Sequence, residues 1–125
     1  RKPDVLLPAC AAHLTDLAEH FGALHRELNA ACFGGVLGAV PVRISRRMRR
    51  RLGHYTPRAE GVEPEIAISW HHVRRHGLSD AAITLLHEMV HQWQDEAGHP
   101  VDHGDSFRRK AREVGIPARA TRRGD

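Results

Sequence analysis

The sequence predicts an α+β fold: an N-terminal helix and a small, mostly antiparallel sheet pack around a longer helix, and a short C-terminal helix follows. Apolar residues recur at helical spacing in three segments, and short segments of alternating polarity lie between the first two of them. Glycine or proline separates these segments. A length of 125 residues with 41% hydrophobic content suits a single domain, which we expect to span residues 1–125.

The first predicted helix covers residues 14–32. Its apolar residues recur every three or four positions, and Gly34 and Gly35 are expected to end it. Cys10 and Cys32 are the only cysteines, which is too few for a disulfide framework. We therefore expect two reduced thiols and an intracellular protein.

Three short segments are predicted to be strands. Residues 40–45 alternate apolar and polar side chains, as a half-buried strand does. Residues 52–56 and 65–69 flank a turn-rich segment that contains Gly61 and Pro64. These two segments are expected to pair as antiparallel strands.

Two further helices are predicted in the second half of the chain. One covers residues 80 to about 96, with Ser79 as its N-cap and Gly98 as its stop. The other begins at about Ser106 and ends at Gly115. The folded core is thus expected at about residues 14–116, with residues 117–125 as a loose tail.

The segment LLHEMVHQW, residues 85–93, carries the strongest chemical signal. His87 and His91 are four residues apart, so on a helix their imidazoles project from the same face and can bind one metal ion. Glu88 lies beside that face, within reach of a metal-bound water. This His-Glu-x-x-His arrangement is the signature of a zinc metalloprotease.

A catalytic zinc requires a third protein ligand and an open fourth position. His99 and His103 both follow the predicted helix closely, and Glu113 is the candidate for a site that is completed by glutamate. The metzincin subclass is excluded because Gln94 and Ala97 stand where its glycine and third histidine belong. The residues alone leave the choice between the two histidines open.

Five segments, in order, resemble the SprT-like domain, which is the metalloprotease core of the Spartan DNA–protein crosslink proteases and their bacterial relatives. These segments are LNAACFGGVLGAVPVRIS, RRMRRRLGHYTP, EIAIS, LLHEMVHQW and HGDSFRRKAREVG. The resemblance extends over roughly residues 14–114. It implies a zincin-like fold, with the sheet packed between the N-terminal helix and the metal-binding helix. It also implies one zinc ion per chain bound by His87, His91 and His103, with Glu88 as the catalytic residue.

The formal charge of +4 and the pI of about 9.8 come almost wholly from arginine, because only Lys2 and Lys110 are lysines. Guanidinium groups suit phosphate partners. We expect a DNA-binding face formed by the arginines near the sheet; as an alternative, they form a solvated loop. These residues are Arg43, Arg46, Arg47, Arg49, Arg50, Arg51 and Arg58. No apolar run approaches eighteen residues, so no membrane span is expected.

The predicted function is a zinc-dependent peptidase that cleaves protein on or near DNA, with a metal-activated water as nucleophile and Glu88 as general base. The alternatives are a non-catalytic zinc-containing DNA-binding module, with His99 as a fourth ligand, and a zinc-dependent nuclease. Candidates for orienting the ligand imidazoles are Asp102, Asp105 and Gln92. No oxyanion stabiliser is evident; Tyr55 and His54 are weak candidates.

We expect no second metal site among the histidines at positions 71, 72 and 76. The expectation rests on the lack of a carboxylate or cysteine beside them at ligand spacing.

Overall fold

The computed structural model describes residues 11–116, and their side chains from Leu14 onward. Its elements are α1 (Ala11–Phe33), β1 (Val42–Ser45), β2 (Gly53–Thr56), β3 (Glu65–Ser69), α2 (Trp70–Glu96) and α3 (Asp105–Val114). The predicted α+β class is confirmed. Cys32 is a free thiol, whereas Cys10 and the predicted tail lie outside the described residues. None of the helices in the described part is long and apolar enough to span a membrane.

The sheet has three strands in the order β1-β3-β2. β2 pairs with β3 in antiparallel fashion, with Gly53 opposite Ile68, as predicted. β1 pairs with β3 in parallel, with Val42 opposite Ile66, so the sheet is mixed and not mostly antiparallel. The chain reverses direction twice between β1 and β3, and the polarity pattern of a strand does not encode which neighbour it joins.

The hydrophobic core joins the sheet to both long helices. The central strand β3 is buried along almost its whole length, with Ile66 and Ile68 fully inaccessible. α1 contacts β1 and α2, whereas α2 contacts β2, β3 and α3. Phe21 of α1 and Leu85 and Met89 of α2 are also fully buried. α2 is therefore held on several sides, which limits the movement of its side chains.

The start of α2 differs from the prediction. Ser69, the last residue of β3, is the N-cap: its hydroxyl accepts a hydrogen bond from the His72 backbone N–H at 3.2 Å. Ser79 lies inside the element, so its predicted role as the cap was wrong. The helix is interrupted at Gly77, whose φ of 90° and ψ of 172° are non-helical. A residue with a Cβ would be strained in that conformation.

A buried polar network ties α1 to α2. His25 Nε2 lies 2.8 Å from Gln92 Oε1, and the Gln92 amide donates to Gly38 O and to Glu96 Oε2, both at 2.8 Å. Glu96 in turn accepts a hydrogen bond from the Gly38 backbone N–H. The Gln92 side chain therefore joins α1, Gly38 and α2, and the expectation that it orients one of the metal-site imidazoles was wrong.

Candidate metal centre

Three imidazoles converge beside the middle of α2. His87 and His91 lie on α2, and His103 lies in the segment between α2 and α3. The possible ligand atoms of the three side chains all lie within 4.8 Å of one another, and His91 Nε2 is 3.2 Å from His103 Nε2. His87 and His91 are buried, with 1% and 4% of their surfaces exposed. The three side chains could hold one metal ion.

The turn after α2 brings His103 back over the helix. Gly98 adopts a φ of 85° just beyond the helix end, and Asp102 Oδ1 then accepts a hydrogen bond from the Gly104 backbone N–H at 3.0 Å. Arg108 of α3 donates to the His103 carbonyl oxygen at 3.0 Å. The fully buried ring of Phe107 packs against all three imidazoles, with centroid distances of 4.8–4.9 Å.

The other candidates for a third ligand lie elsewhere. His99 is exposed and packs against the Trp93 ring, with the ring centroids 5.1 Å apart. Glu113 points to solvent from α3 and forms an ion pair with Lys110 at 3.0 Å. Of the three candidates that the sequence offered, the structure brings only His103 to the other two imidazoles.

Gln94 orients the His91 ring. Its Oε1 lies 2.9 Å from His91 Nδ1, and its amide nitrogen donates to Ser106 Oγ at 2.9 Å. When His91 Nδ1–H donates to this oxygen, Nε2 carries the lone pair and faces His103. This role of Gln94 was not predicted, although its position three residues after His91 on a helix was a usable signal. The carboxylate of Asp105, a predicted orienting group, instead pairs with Arg108.

Burial favours the neutral form of two of the three imidazoles, His91 and His103. Desolvation lowers the pKa of His91 to about 4, against a smaller upward effect of its hydrogen bond to Gln94. Burial also lowers the pKa of His103, and the nearby Asp102 carboxylate acts in the opposite direction. A neutral imidazole offers a lone pair, so His91 and His103 are in the form that binds metal at pH 7.

Glu88 is fully buried and directly follows His87 on α2. Both of its carboxylate oxygens are inaccessible, and neither has a hydrogen-bond partner among the described residues. A buried polar group without a partner is costly and is therefore uncommon outside functional sites. A cation bound by the adjacent imidazoles would supply the compensating charge, so these residues fit a metal ion.

Gly53 of β2 makes room for Glu88. A Cβ at this position would lie 2.8 Å from Thr84 Cγ2 and 3.2 Å from both Cγ and Oε2 of Glu88. Thr84 is fully buried and β-branched, so it has little freedom to move aside. Only glycine lets β2 approach α2 this closely at Glu88.

We expect Gly53→Ala to destabilise the fold by about 1–3 kcal/mol through overpacking. It should also lower any Glu88-dependent activity by on the order of 10- to 100-fold, because the carboxylate would be displaced. Chemical denaturation measures the loss of stability and a peptidase assay measures the loss of activity, whereas the metal content should stay unchanged. Gly22→Ala is the matched control, since a Cβ there meets nothing within 4 Å. Equal effects of the two substitutions would contradict the role of Gly53.

A cleft of about 330 Å³ opens beside the imidazoles. Its lining combines two of them with residues in and beside β2 and residues of the segment between α2 and α3: Arg51, His54, Tyr55, Pro57, His91, Val101, Asp102 and His103. The Tyr55 hydroxyl donates to Asp95 Oδ2 at 2.7 Å, and burial with this contact raises the pKa of Tyr55. Burial, followed by the charge of Arg51, lowers the pKa of His54. Both weak candidates for an oxyanion stabiliser thus border the cleft.

All of the predicted DNA-contacting arginines are exposed. They are Arg43, Arg46, Arg47, Arg49, Arg50, Arg51 and Arg58. Several have partners within the protein: Arg43 pairs with Glu65 at 2.8 Å, and the Arg46 guanidinium lies 5.1 Å from the centre of the Trp70 ring. Arg51 reaches the cleft, where its Nη1 is 2.7 Å from His54 Nδ1.

Comparison with known proteins gives one family match. A model described as the SprT-like family matches residues 21–122. This range includes the three imidazoles, Glu88 and the exposed arginines. No curated protein matches the chain.

Proposed function

The chain belongs to the SprT-like family, and from this premise we propose that it is a zinc-dependent peptidase that hydrolyses protein substrates on or near DNA. The observation that carries this proposal is the buried Glu88 carboxylate, which has no hydrogen-bond partner in the described structure and follows His87, one of the three converging imidazoles, directly on α2. If Glu88 served only helix packing, the cost of burying its carboxylate would have no compensation. In a hydrolytic enzyme the same carboxylate serves as the general base.

The ligands of the zinc ion would be His87, His91 and His103. When bound, the ion lowers the pKa of a water ligand to about 7 and polarises a peptide carbonyl. Gln94 holds the His91 ring in the orientation that turns Nε2 toward His103. Phe107 covers one side of the three rings and restricts the access of bulk water to them.

Glu88 would move the proton. As a carboxylate it accepts a proton from the attacking water at one of its Oε atoms. As the neutral acid it then donates that proton to the amine nitrogen that leaves when the peptide C–N bond breaks. The close approach of Gly53 to Glu88 limits the positions that the carboxylate can take during both transfers.

The rival functions have less support. A structural zinc module normally closes its site with a fourth protein ligand. Among residues 14–116 the group around His87 contains three candidate ligands, and His99, the proposed fourth, packs on Trp93 instead. The group at His87 offers ligands for one metal ion, whereas a two-metal nuclease requires a second set of ligands beside the first.

The function is tested by incubating the purified, zinc-loaded protein with a DNA-bound protein and, separately, with bare DNA. We expect peptide products from the first and intact nucleic acid from the second. Removal of the metal with a chelator should stop the cleavage, and added zinc should restore it. Cleavage of bare DNA without proteolysis would favour the nuclease.

DNA binding through the arginines should show in its salt dependence. Replacing Arg49, Arg50 and Arg51 together with glutamine should reduce the slope of log binding constant against log salt by about 0.9 for each phosphate contact that is lost. Fluorescence anisotropy with a short duplex measures this slope. The matched control replaces Arg26, Arg109 and Arg112, which are exposed on α1 and α3. Equal slopes for both triple variants would rule out the proposed face.

A further inference from the structure

A second group of possible metal ligands lies on the first part of α2. It consists of His72, His76 and Asp80, whose candidate ligand atoms all lie within 4.8 Å of one another. The expectation that no carboxylate accompanies these histidines was wrong. Asp80 lies beyond the helix interruption at Gly77, and its carboxylate nevertheless reaches the imidazoles.

The two imidazoles of this group face each other. His72 Nδ1 lies 2.8 Å from His76 Nδ1. Two nitrogens bound to one tetrahedral zinc at about 2.0–2.1 Å would be roughly 3.3 Å apart. His76 is exposed, so a small rotation of its ring can provide the remaining half ångström or so.

The buried member of the group is prepared for ligation. His72 is only 2% exposed, and its second nitrogen, Nε2, lies 2.9 Å from Thr84 Oγ1. When Nε2–H donates to this hydroxyl, Nδ1 carries the lone pair and faces His76. Metal-binding histidines generally hold their other nitrogen in this way, and His91 is held by Gln94 in the centre described above.

We propose that His72, His76 and Asp80 form a second binding site for a divalent transition metal, such as Zn²⁺ or Co²⁺. Two imidazoles and one carboxylate suit these ions better than Ca²⁺ or Mg²⁺, which prefer oxygen ligands. The ligands stand on both sides of Gly77, so the ion would join the two segments of α2. Because one ligand is exposed, this site is expected to bind more weakly than the centre at His87.

The proposal is independent of the peptidase function and is tested by metal stoichiometry. After equilibrium dialysis against increasing Zn²⁺ or Co²⁺, the wild type should bind two equivalents. His76→Ala and Asp80→Asn should each bind one. His71→Ala is the matched control, because His71 is the adjacent histidine but bonds to Arg46 O, outside the group; it should bind two.

Thermal unfolding supplies a second measurement. Metal added beyond the first equivalent should raise the Tm of the wild type and of His71→Ala, but not that of Asp80→Asn. The His103→Ala variant should still bind one equivalent, at the second site. The double variant His103→Ala/His76→Ala should bind none. Equal numbers of bound equivalents in the saturated wild type and in His76→Ala would overturn the proposal and leave a hydrogen-bonded cluster only.

Discussion

Replacing Glu88 with glutamine should abolish peptide hydrolysis and leave metal binding intact. Glutamine has nearly the same shape but cannot accept and return a proton, so the rate should fall by about 10²- to 10⁴-fold, which is the usual contribution of a general base. Stability should not decrease, because the change removes a fully buried carboxylate that has no hydrogen-bond partner among the described residues.

Three measurements on the same preparation examine this expectation: kcat/KM on a DNA-bound protein, zinc content and Tm. Glu113→Gln is the matched control, since it makes the same chemical change at an exposed glutamate of α3; all three values should match the wild type. Unchanged cleavage by Glu88→Gln would remove the general-base assignment. A loss of zinc in this variant would instead identify Glu88 as a ligand.

The second large effect is expected at the third imidazole. His103→Ala should lose zinc from the centre at His87 far more readily than His99→Ala. Removing His103 leaves two nitrogen ligands from one helix, whereas removing His99 takes away only a ring that packs on Trp93. Proteolysis should disappear together with the metal in His103→Ala and persist in His99→Ala.

Both histidine variants are best compared in the His76→Ala background, so that the second cluster contributes no bound metal. Zinc is then measured after dialysis against a series of chelator concentrations. A far-ultraviolet circular dichroism spectrum shows whether each variant keeps its helices. If His99→Ala loses zinc and His103→Ala retains it, the third ligand has been assigned to the wrong residue.

Features that depend on neighbouring residues were predicted well. The three helices and the antiparallel pairing of β2 with β3 follow from apolar spacing and turn residues. The helical pitch alone puts His87 and His91 on one face with Glu88 beside it. The start of α2 was placed too late, because the helical segment before Gly77, which Ser69 caps, was not predicted.

Features that depend on distant residues were not predictable in this way. The parallel pairing of β1 with β3 places Val42 opposite Ile66, and no local pattern encodes that partner. Gly53 lies 35 positions before Glu88 along the chain, yet its missing side chain makes the space that Glu88 occupies. Gly77 interrupts the helix between His76 and Asp80, and the contact between these two side chains was not predicted.

The sequence by itself determined which side chains can perform chemistry, because the spacing of His87, Glu88 and His91 acts through the geometry of a single helix. Tertiary structure decided which further groups join them. The turn after α2 and the packing of Phe107 place His103 beside the other two imidazoles. Gly53 of β2 provides the space for Glu88. The physical reason is that helix geometry is local, whereas close packing brings together residues whose separation along the chain carries no information about their contact.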